Sequence, residues 1–173
     1  QVLKAKYIDV LFLGETLLNE NTSFSLPGYQ IYRRDRTARG GGVAIAVKNN
    51  IKSKNYPNYR TVGIENVSVE LFLHTRSLVL TSVYSPTYEN FKEDINKITP
   101  ANKEFFVCGD LNAKHPSWNC TDSNRAGNVL FNLQLNSNFF IYYPTGYTCK
   151  IKDTTTYYAV TVNAVTGVVK SGY

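Results

Sequence analysis

Methionine is absent from this 173-residue sequence, and histidine nearly so: only His74 and His115 occur. A chain without Met that opens on Gln1 fits a fragment or a processed product of a longer protein. Cysteine is scarce as well. Cys108, Cys120 and Cys149 leave one thiol over in any intrachain pairing, and their spacing matches no zinc template. That argues against a disulfide scaffold and for a reducing compartment. No apolar run approaches about 18 residues, so a membrane-spanning helix is not expected. The short apolar stretch near the start carries Asp9, which makes a poor signal peptide. These absences point to an intracellular protein with no membrane partner.

Charge is sparse, at 18% of residues, against 43% hydrophobic, the balance of a globular chain and not of a disordered one. The length suits a single domain over 1–173 with a core that needs no staples. There are no repeats, linkers or low-complexity segments. Basic residues outnumber acidic ones by 19 to 13, a net charge of +6. Arg33, Arg34, Arg36 and Arg39 crowd together with only Asp35 opposing them, and Lys48, Lys52 and Lys54 follow. The cluster reads equally as a solvated basic loop and as a patch that tracks phosphates.

Periodicity predicts the elements. Residues 8–14 (IDVLFLG) are a continuous apolar run, the profile of a central strand covered on both faces. A polar loop with a Pro27-Gly28 turn leads to an edge strand, YQIYRRD. Three glycines then run into an alternating strand from Val43 to Val47. Two β-rich segments, 67–74 and 77–86, join at Thr75-Arg76. Phe91, Ile95 and Ile98 fall at i, i+4 and i+7 and predict an amphipathic helix over 88–99. A strand at 105–108 and an Asn- and Ser-rich loop (119–128) come next. After them lie a helix carrying Val129, Leu130, Leu133 and Asn136, a strand at 139–144 and a β-prone, hairpin-like tail over 154–169. The fold class expected is α/β or α+β, a sandwich in one domain.

Two apolar runs end alike. LFLGET places Glu15 just past one strand, and FFVCGDLN places Asp110 and Asn112 just past another. Gly14 and Gly109 precede the acids and are expected to let the backbone turn without a Cβ penalty. If the two strands are sheet neighbours, the two carboxylates converge on one rim, where they repel unless a cation sits between them. Oxygen ligands without His or Cys favour Mg²⁺ or Mn²⁺ over zinc, and such an ion with water is suited to attack on a phosphate. Asn112 can accept from that water and donate to a phosphate oxygen while Asp110 orients or deprotonates it.

The segments GET, PGYQIYRRDRTARGGGVAIAVKN, SVYSP, GDLNAKHPSW and NRAGNVL stand in an order and spacing similar to those of a known family. Over roughly residues 5–147 the chain resembles the apurinic-endonuclease-like domain of insect non-LTR retrotransposons, a branch of the endonuclease/exonuclease/phosphatase family. The resemblance implies a DNase I-like two-sheet β-sandwich flanked by helices, with 148–173 as a divergent tail. By the same resemblance Glu15 is the metal ligand, Tyr84 contacts the scissile phosphate, and Asp110 and Asn112 are the catalytic Asp-x-Asn pair. It lays Arg33, Arg34, Arg36 and Arg39 along the DNA backbone, and Lys114 joins them as a nucleic-acid contact. His115, Trp118 and the Asn124–Gly127 turn are family-typical loop residues.

Three departures accompany the matches. The family opens with a strand carrying a metal-site Asn, and here the sequence begins after that point. Pro144-Thr145 is retained without the Asp-bearing strand that follows it in the family. The closing Ser-Asp-His is missing, and no histidine follows His115. The expectation is a retrotransposon-derived, Mg²⁺-dependent DNA-nicking domain of impaired turnover, acting in the nucleus. The alternative is a non-catalytic DNA-binding or self-associating module that pairs through exposed sheet edges.

Overall fold

The computed structural model describes residues 8–36, 40–99, 102–136, 139–143 and 163–166. Two sheets face each other. The smaller holds β1 (Val10–Gly14), β2 (Tyr29–Arg34) and β3 (Val43–Lys48) in the antiparallel order β1-β3-β2. The run at 8–14, expected as a central strand, is therefore flanked on one side only among the described residues. The central place belongs to β3. There Val43, Ile45 and Val47 face the other sheet, while Ala44 and Ala46 on the reverse face are also fully buried. Ala44 lies between Leu13 and Arg33, and Ala46 between Leu11 and Ile31, so longer neighbours on β1 and β2 flank the small side chains.

The larger sheet has the order β4-β5-β6-β7-β9-β8. Its strands are β4 (Ser53–Tyr56), β5 (Glu65–Phe72), β6 (Ser77–Tyr84), β7 (Phe105–Asp110), β8 (Phe139–Tyr142) and β9 (Asn163–Thr166). All neighbours are antiparallel except β6 and β7. A parallel pair needs a crossover, and helix α1 (Phe91–Ile98) lies within it. Helix α2 (Arg125–Asn136) follows β7. From the tail, β9 enters the sheet between β7 and β8; the rest of 144–173 lies outside the described residues.

One apolar cluster fills the space between the sheets: Tyr32, Val43, Ile45 and Val47 from one, Val67, Val69, Leu71 and Leu80 from the other. A second lies on the reverse face of the larger sheet, where Val79, Val83 and Val107 meet Phe91, Ile95 and Ile98 of α1 and Leu130 of α2. The layers are thus sheet, sheet and helices, with β6 and β7 covered on both faces. This is the α+β, two-sheet, DNase I-like architecture expected. Among the described residues no helix is long and apolar enough to cross a membrane.

Candidate active site

The ends of β1, β2, β3, β5, β6 and β7 meet at one end of the sandwich. Gly14 and Arg34 both pair with Val43. In the larger sheet Glu65 pairs with Tyr84, and Tyr84 with Asp110. Paired residues share a face, and every second residue along a strand does too. Glu65, Tyr84 and Asp110 therefore form a row on the face that carries Val67, Leu80 and Phe106 toward β1. The two sheets are locked there by Ser82 Oγ donating to the Leu13 carbonyl at 3.2 Å, and by the Phe12 and Phe106 rings 5.5 Å apart. Glu15 and Asp110 converge across the sandwich, from strands of different sheets, and not as neighbours in one.

Glu15 stands just beyond β1 with φ of 49°. The turn there is made by Glu15 itself and by Leu17, at φ 55°, while a Cβ on Gly14 would meet nothing within 4 Å. Gly14 is not what the turn requires. Gly109 is required, for another reason: a Cβ there would lie 1.8 Å from the Val83 carbonyl oxygen, so only glycine lets β7 pass β6 at the step before Asp110.

The electrostatics of the rim follow from this crowding. Burial, then the neighbouring Glu15 carboxylate, then the charges of Asp110 and Glu65 push the Tyr84 phenol up to about 12. Burial pushes the Asp110 carboxyl above its ordinary range; the hydrogen bond from Asn112 opposes this and the Glu15 charge adds to it. Asn112 N donates to Asp110 Oδ1 at 2.8 Å, and Asn112 Nδ2 donates to the Ser85 carbonyl at 2.9 Å. Asn112 is held with φ of 49°.

Asn124 secures the loop that carries this pair. Its Oδ1 accepts from Lys114 N at 3.0 Å and from Gly127 N at 2.9 Å, the second bond capping α2. Its Nδ2 donates to the Asn112 carbonyl at 2.7 Å and to Tyr88 Oη at 3.0 Å. Lys114 thus lies two residues past Asn112 with its backbone clamped.

The basic cluster divides. Arg33 pairs with Asp35 at 3.2 Å and donates to the Thr22 carbonyl at 2.9 Å. Arg36 Nε sits 3.3 Å from Glu65 Oε1. Arg34, by contrast, is exposed and makes no side-chain hydrogen bond or ion pair among the described residues. It lines an open cleft of about 500 Å³ beside the rim, with Thr61, Val62, Glu65, Pro86 and Thr87. Arg39 lies outside the described residues.

Neither imidazole belongs to the rim. His115 stacks on Phe131 with ring centroids 4.1 Å apart, and its Nδ1 accepts from Ser117 N at 3.2 Å. His74 lies past Phe72, the far end of β5, a strand that runs about 20 Å away from Glu65. Among the described residues no group of three or more His, Cys, Asp or Glu side chains is placed to hold a metal. What the rim offers is one or two carboxylates and an amide oxygen, a donor set that fits a hard cation keeping most of its water.

Sequence reasoning missed Glu65, although the Val67-Val69-Leu71 alternation, counted back one step, puts it on the face of the core. It also missed the clamp by Asn124, for which the only signal is an Asn placed to cap a helix.

An α+β sandwich with carboxylates gathered where its strands end is the DNase I-like class of architecture. The chain belongs to the endonuclease/exonuclease/phosphatase family, whose model matches residues 1–160. It is 30% identical over 138 residues to the probable RNA-directed DNA polymerase from transposon X-element of Drosophila melanogaster, which covers 75% of this chain and 15% of that protein. The chain therefore spans a small part of that relative's length. The fold is similar to that of the endonuclease domain of TRAS1, a telomere-specific non-LTR retrotransposon, with a TM-score of 0.71 at 17% identity over 95% of this chain and 76% of that one. It is also similar to an endonuclease/exonuclease/phosphatase family protein from Leptotrichia buccalis, with a TM-score of 0.61 at 15% identity over 94% and 78% of the two chains. A third likeness is to D. rerio TDP2 complexed with a single-strand DNA product, with a TM-score of 0.54 at 11% identity over 94% and 72%. The family read from the GET, SVYSP and GDLN segments is borne out.

Proposed function

We propose that these residues form a divalent-metal-dependent DNA endonuclease domain that hydrolyses a phosphodiester, acts in the nucleus, and turns over slowly. The observation that carries the reading is that β7 ends in Asp110 beside Tyr84, with Asn112 bonded to Asp110, at the end of the sandwich where β1 delivers Glu15. The all-oxygen donor set suits Mg²⁺ or Mn²⁺, which Glu15 would hold; when bound, the ion supplies charge neutralisation at the phosphate and a lower pKa for water.

The remaining work falls to the chain's own groups. Asp110, biased by burial toward accepting a proton, takes one from the attacking water. The water oxygen bonds to phosphorus as the ester P–O bond breaks, and the leaving alkoxide takes a proton from solvent. Asn112 keeps an amide N–H and Oδ1 beyond its bond to Ser85, to orient the water and the phosphate. Tyr84 stands beside Glu15 and offers its hydroxyl to the scissile group. Arg34 draws the DNA backbone to the cleft, and the field of Arg33, Arg36, Arg39 and Lys114 adds to it.

One observation favours slow turnover, or in the limit a DNA-binding module without turnover. With His115 stacked on Phe131 and His74 at the far end of β5, no imidazole among the described residues serves the leaving group. Losing one preorganised donor of that kind lowers a rate by about 10²–10³. The test is nicking of supercoiled plasmid by the 173-residue chain in Mg²⁺ and in EDTA, beside Asp110→Ala. Slow, Mg²⁺-dependent nicking that Asp110→Ala abolishes supports the endonuclease. Nicking no faster than in Asp110→Ala, together with a gel shift lost in Arg34→Ala, establishes the binding module instead.

A further inference from the structure

Glu65 has no place in the chemistry above, yet it is the register partner of Tyr84 and only 21% exposed in its side chain. Its two oxygens are both engaged by the loop between β2 and β3. Oε2 accepts from Gly42 N at 2.7 Å, and Oε1 lies 3.3 Å from Arg36 Nε. The same loop then holds the segment just past β1. The Gly42 carbonyl accepts from Thr16 N at 3.1 Å, and the Gly41 carbonyl from Leu17 N at 2.9 Å. Those two bonds fall at Thr16 and Leu17, within the stretch in which Glu15 and Leu17 both take left-handed backbone, a state non-glycine residues seldom keep unless their surroundings impose it. The layers leave no slack. A Cβ on Gly41 would lie 2.7 Å from Glu65 Oε1, and one on Gly42 2.5 Å from Thr16 Oγ1. Both glycines also run at φ of 77° and 88°, which other residues rarely adopt.

From this chain of contacts we infer that Glu65 is a positioning residue: it presses the Gly41–Gly42 backbone onto residues 15–17 and so sets where the Glu15 carboxylate stands. The inference rests on reading Glu15 as the metal-holding residue. It does not require Glu65 to touch the ion, because both of its oxygens already have partners on the loop. What matters is the reach of an acceptor to Gly42 N, and its charge matters less. Glu65→Gln keeps the reach and gives up the charge. Glu65→Asp keeps the charge and draws the acceptor back by one methylene.

Two readouts on the 173-residue chain separate the possibilities: amide hydrogen exchange of Thr16 and Leu17 without metal, and Mn²⁺ binding followed by electron paramagnetic resonance, with Glu15→Ala alongside. Loss of an outer-shell partner typically weakens metal binding about tenfold or more. Glu65→Asp is therefore expected to bind Mn²⁺ about tenfold more weakly and to speed exchange at Thr16 and Leu17 by a similar factor, with Glu65→Gln within about twofold of the parent in both. Parent-like exchange in Glu65→Asp overturns the inference whatever the metal does. So does the reverse order, with Gln impaired and Asp intact, since charge and not reach would then be acting. Mn²⁺ binding that survives Glu15→Ala removes the metal reading, and the exchange data alone then decide whether Glu65 sets the loop.

Discussion

Tyr84 of the larger sheet stands beside Glu15, which follows a strand of the smaller one, so the phenol and the carboxylate feel each other across the rim. The phenol is pushed up to about 12, by burial first and the Glu15 carboxylate next, and therefore stays protonated at any working pH. Tyr84→Phe keeps the ring in the core and removes only the donor. The expected outcome is a rate of plasmid nicking lower by about tenfold, at the low end of what a lost active-site donor does because the hydroxyl acts partly through Glu15. Nicking and a thermal melt on the same preparation check it: an unchanged rate would show that Tyr84 serves packing alone.

Asn124 offers a cleaner separation of folding from chemistry. Asn124→Ala removes a helix cap and the clamp on the Asn112–Lys114 loop, and is expected to destabilise the fold by about 2 kcal/mol in urea unfolding. Asn124→Asp keeps the acceptor for Lys114 N and Gly127 N but withdraws the donor from the Asn112 carbonyl. It is expected to lose about 1 kcal/mol or less in stability while nicking falls several-fold, because the backbone that aims Asn112 is released. Equal damage to stability in the two variants would assign Asn124 to the cap alone.

How far the site could be read without coordinates depends on which physical signal each residue carries. Glu15 and Asp110 were legible because each follows an apolar run of strand length, and the α1 helix because Phe91, Ile95 and Ile98 repeat at helical spacing. The edge strand Ser53–Tyr56 was not, since SKNY has no apolar alternation and one flank of the strand is unpaired among the described residues. The pairing of sheets was invisible too. The Phe12–Phe106 contact and the bond from Ser82 to Leu13 help bring Glu15 to Asp110, and neither has a sequence period. Charge alone did not tell the arginines apart. Arg33 and Arg36 each pair with a carboxylate of this chain, while Arg34 has no such partner among the described residues.

Asp94 carries the loop that leads into Glu65. Fully buried in the first turn of α1, it accepts from the backbone N–H groups of Val62 at 2.9 Å, Gly63 at 2.7 Å and Ile64 at 3.2 Å, with Lys97 at 3.6 Å. Asp94→Asn turns one acceptor into an NH₂ facing the same N–H groups. Hydrogen bonds to a buried charged group are worth about 1.5–3 kcal/mol, and the expected loss is of that order. Asp94→Ala should lose no less. Chemical denaturation at neutral pH measures both, and a change below about 0.5 kcal/mol, the ordinary range for a surface substitution, would mean that the loop keeps its shape without the carboxylate.

Glu70 gives the fold a pH dependence with a predictable sign. Lys103 first, then Ser77 and Lys54, hold its carboxyl at about 2 instead of its ordinary 4.5, against the opposing effect of burial. Lys103 Nζ and Lys54 Nζ lie 2.9 and 3.0 Å from its oxygens. A carboxyl depressed in the folded state stabilises the protein fully above its unfolded value, and that contribution is lost as pH falls through the folded one. The Glu70 contribution is therefore complete above about pH 5, declines from there toward pH 2, and is absent below. Because both lysines are partly solvated, the magnitude expected for Glu70→Gln at pH 7 is about 1 kcal/mol and not the several of a fully buried pair. Urea unfolding of the parent and Glu70→Gln at pH 7, 4 and 2.5 reads this directly. The two curves should lie apart at pH 7 and draw together at pH 2.5, and a gap that stays constant across the three would place the effect in packing and not in charge.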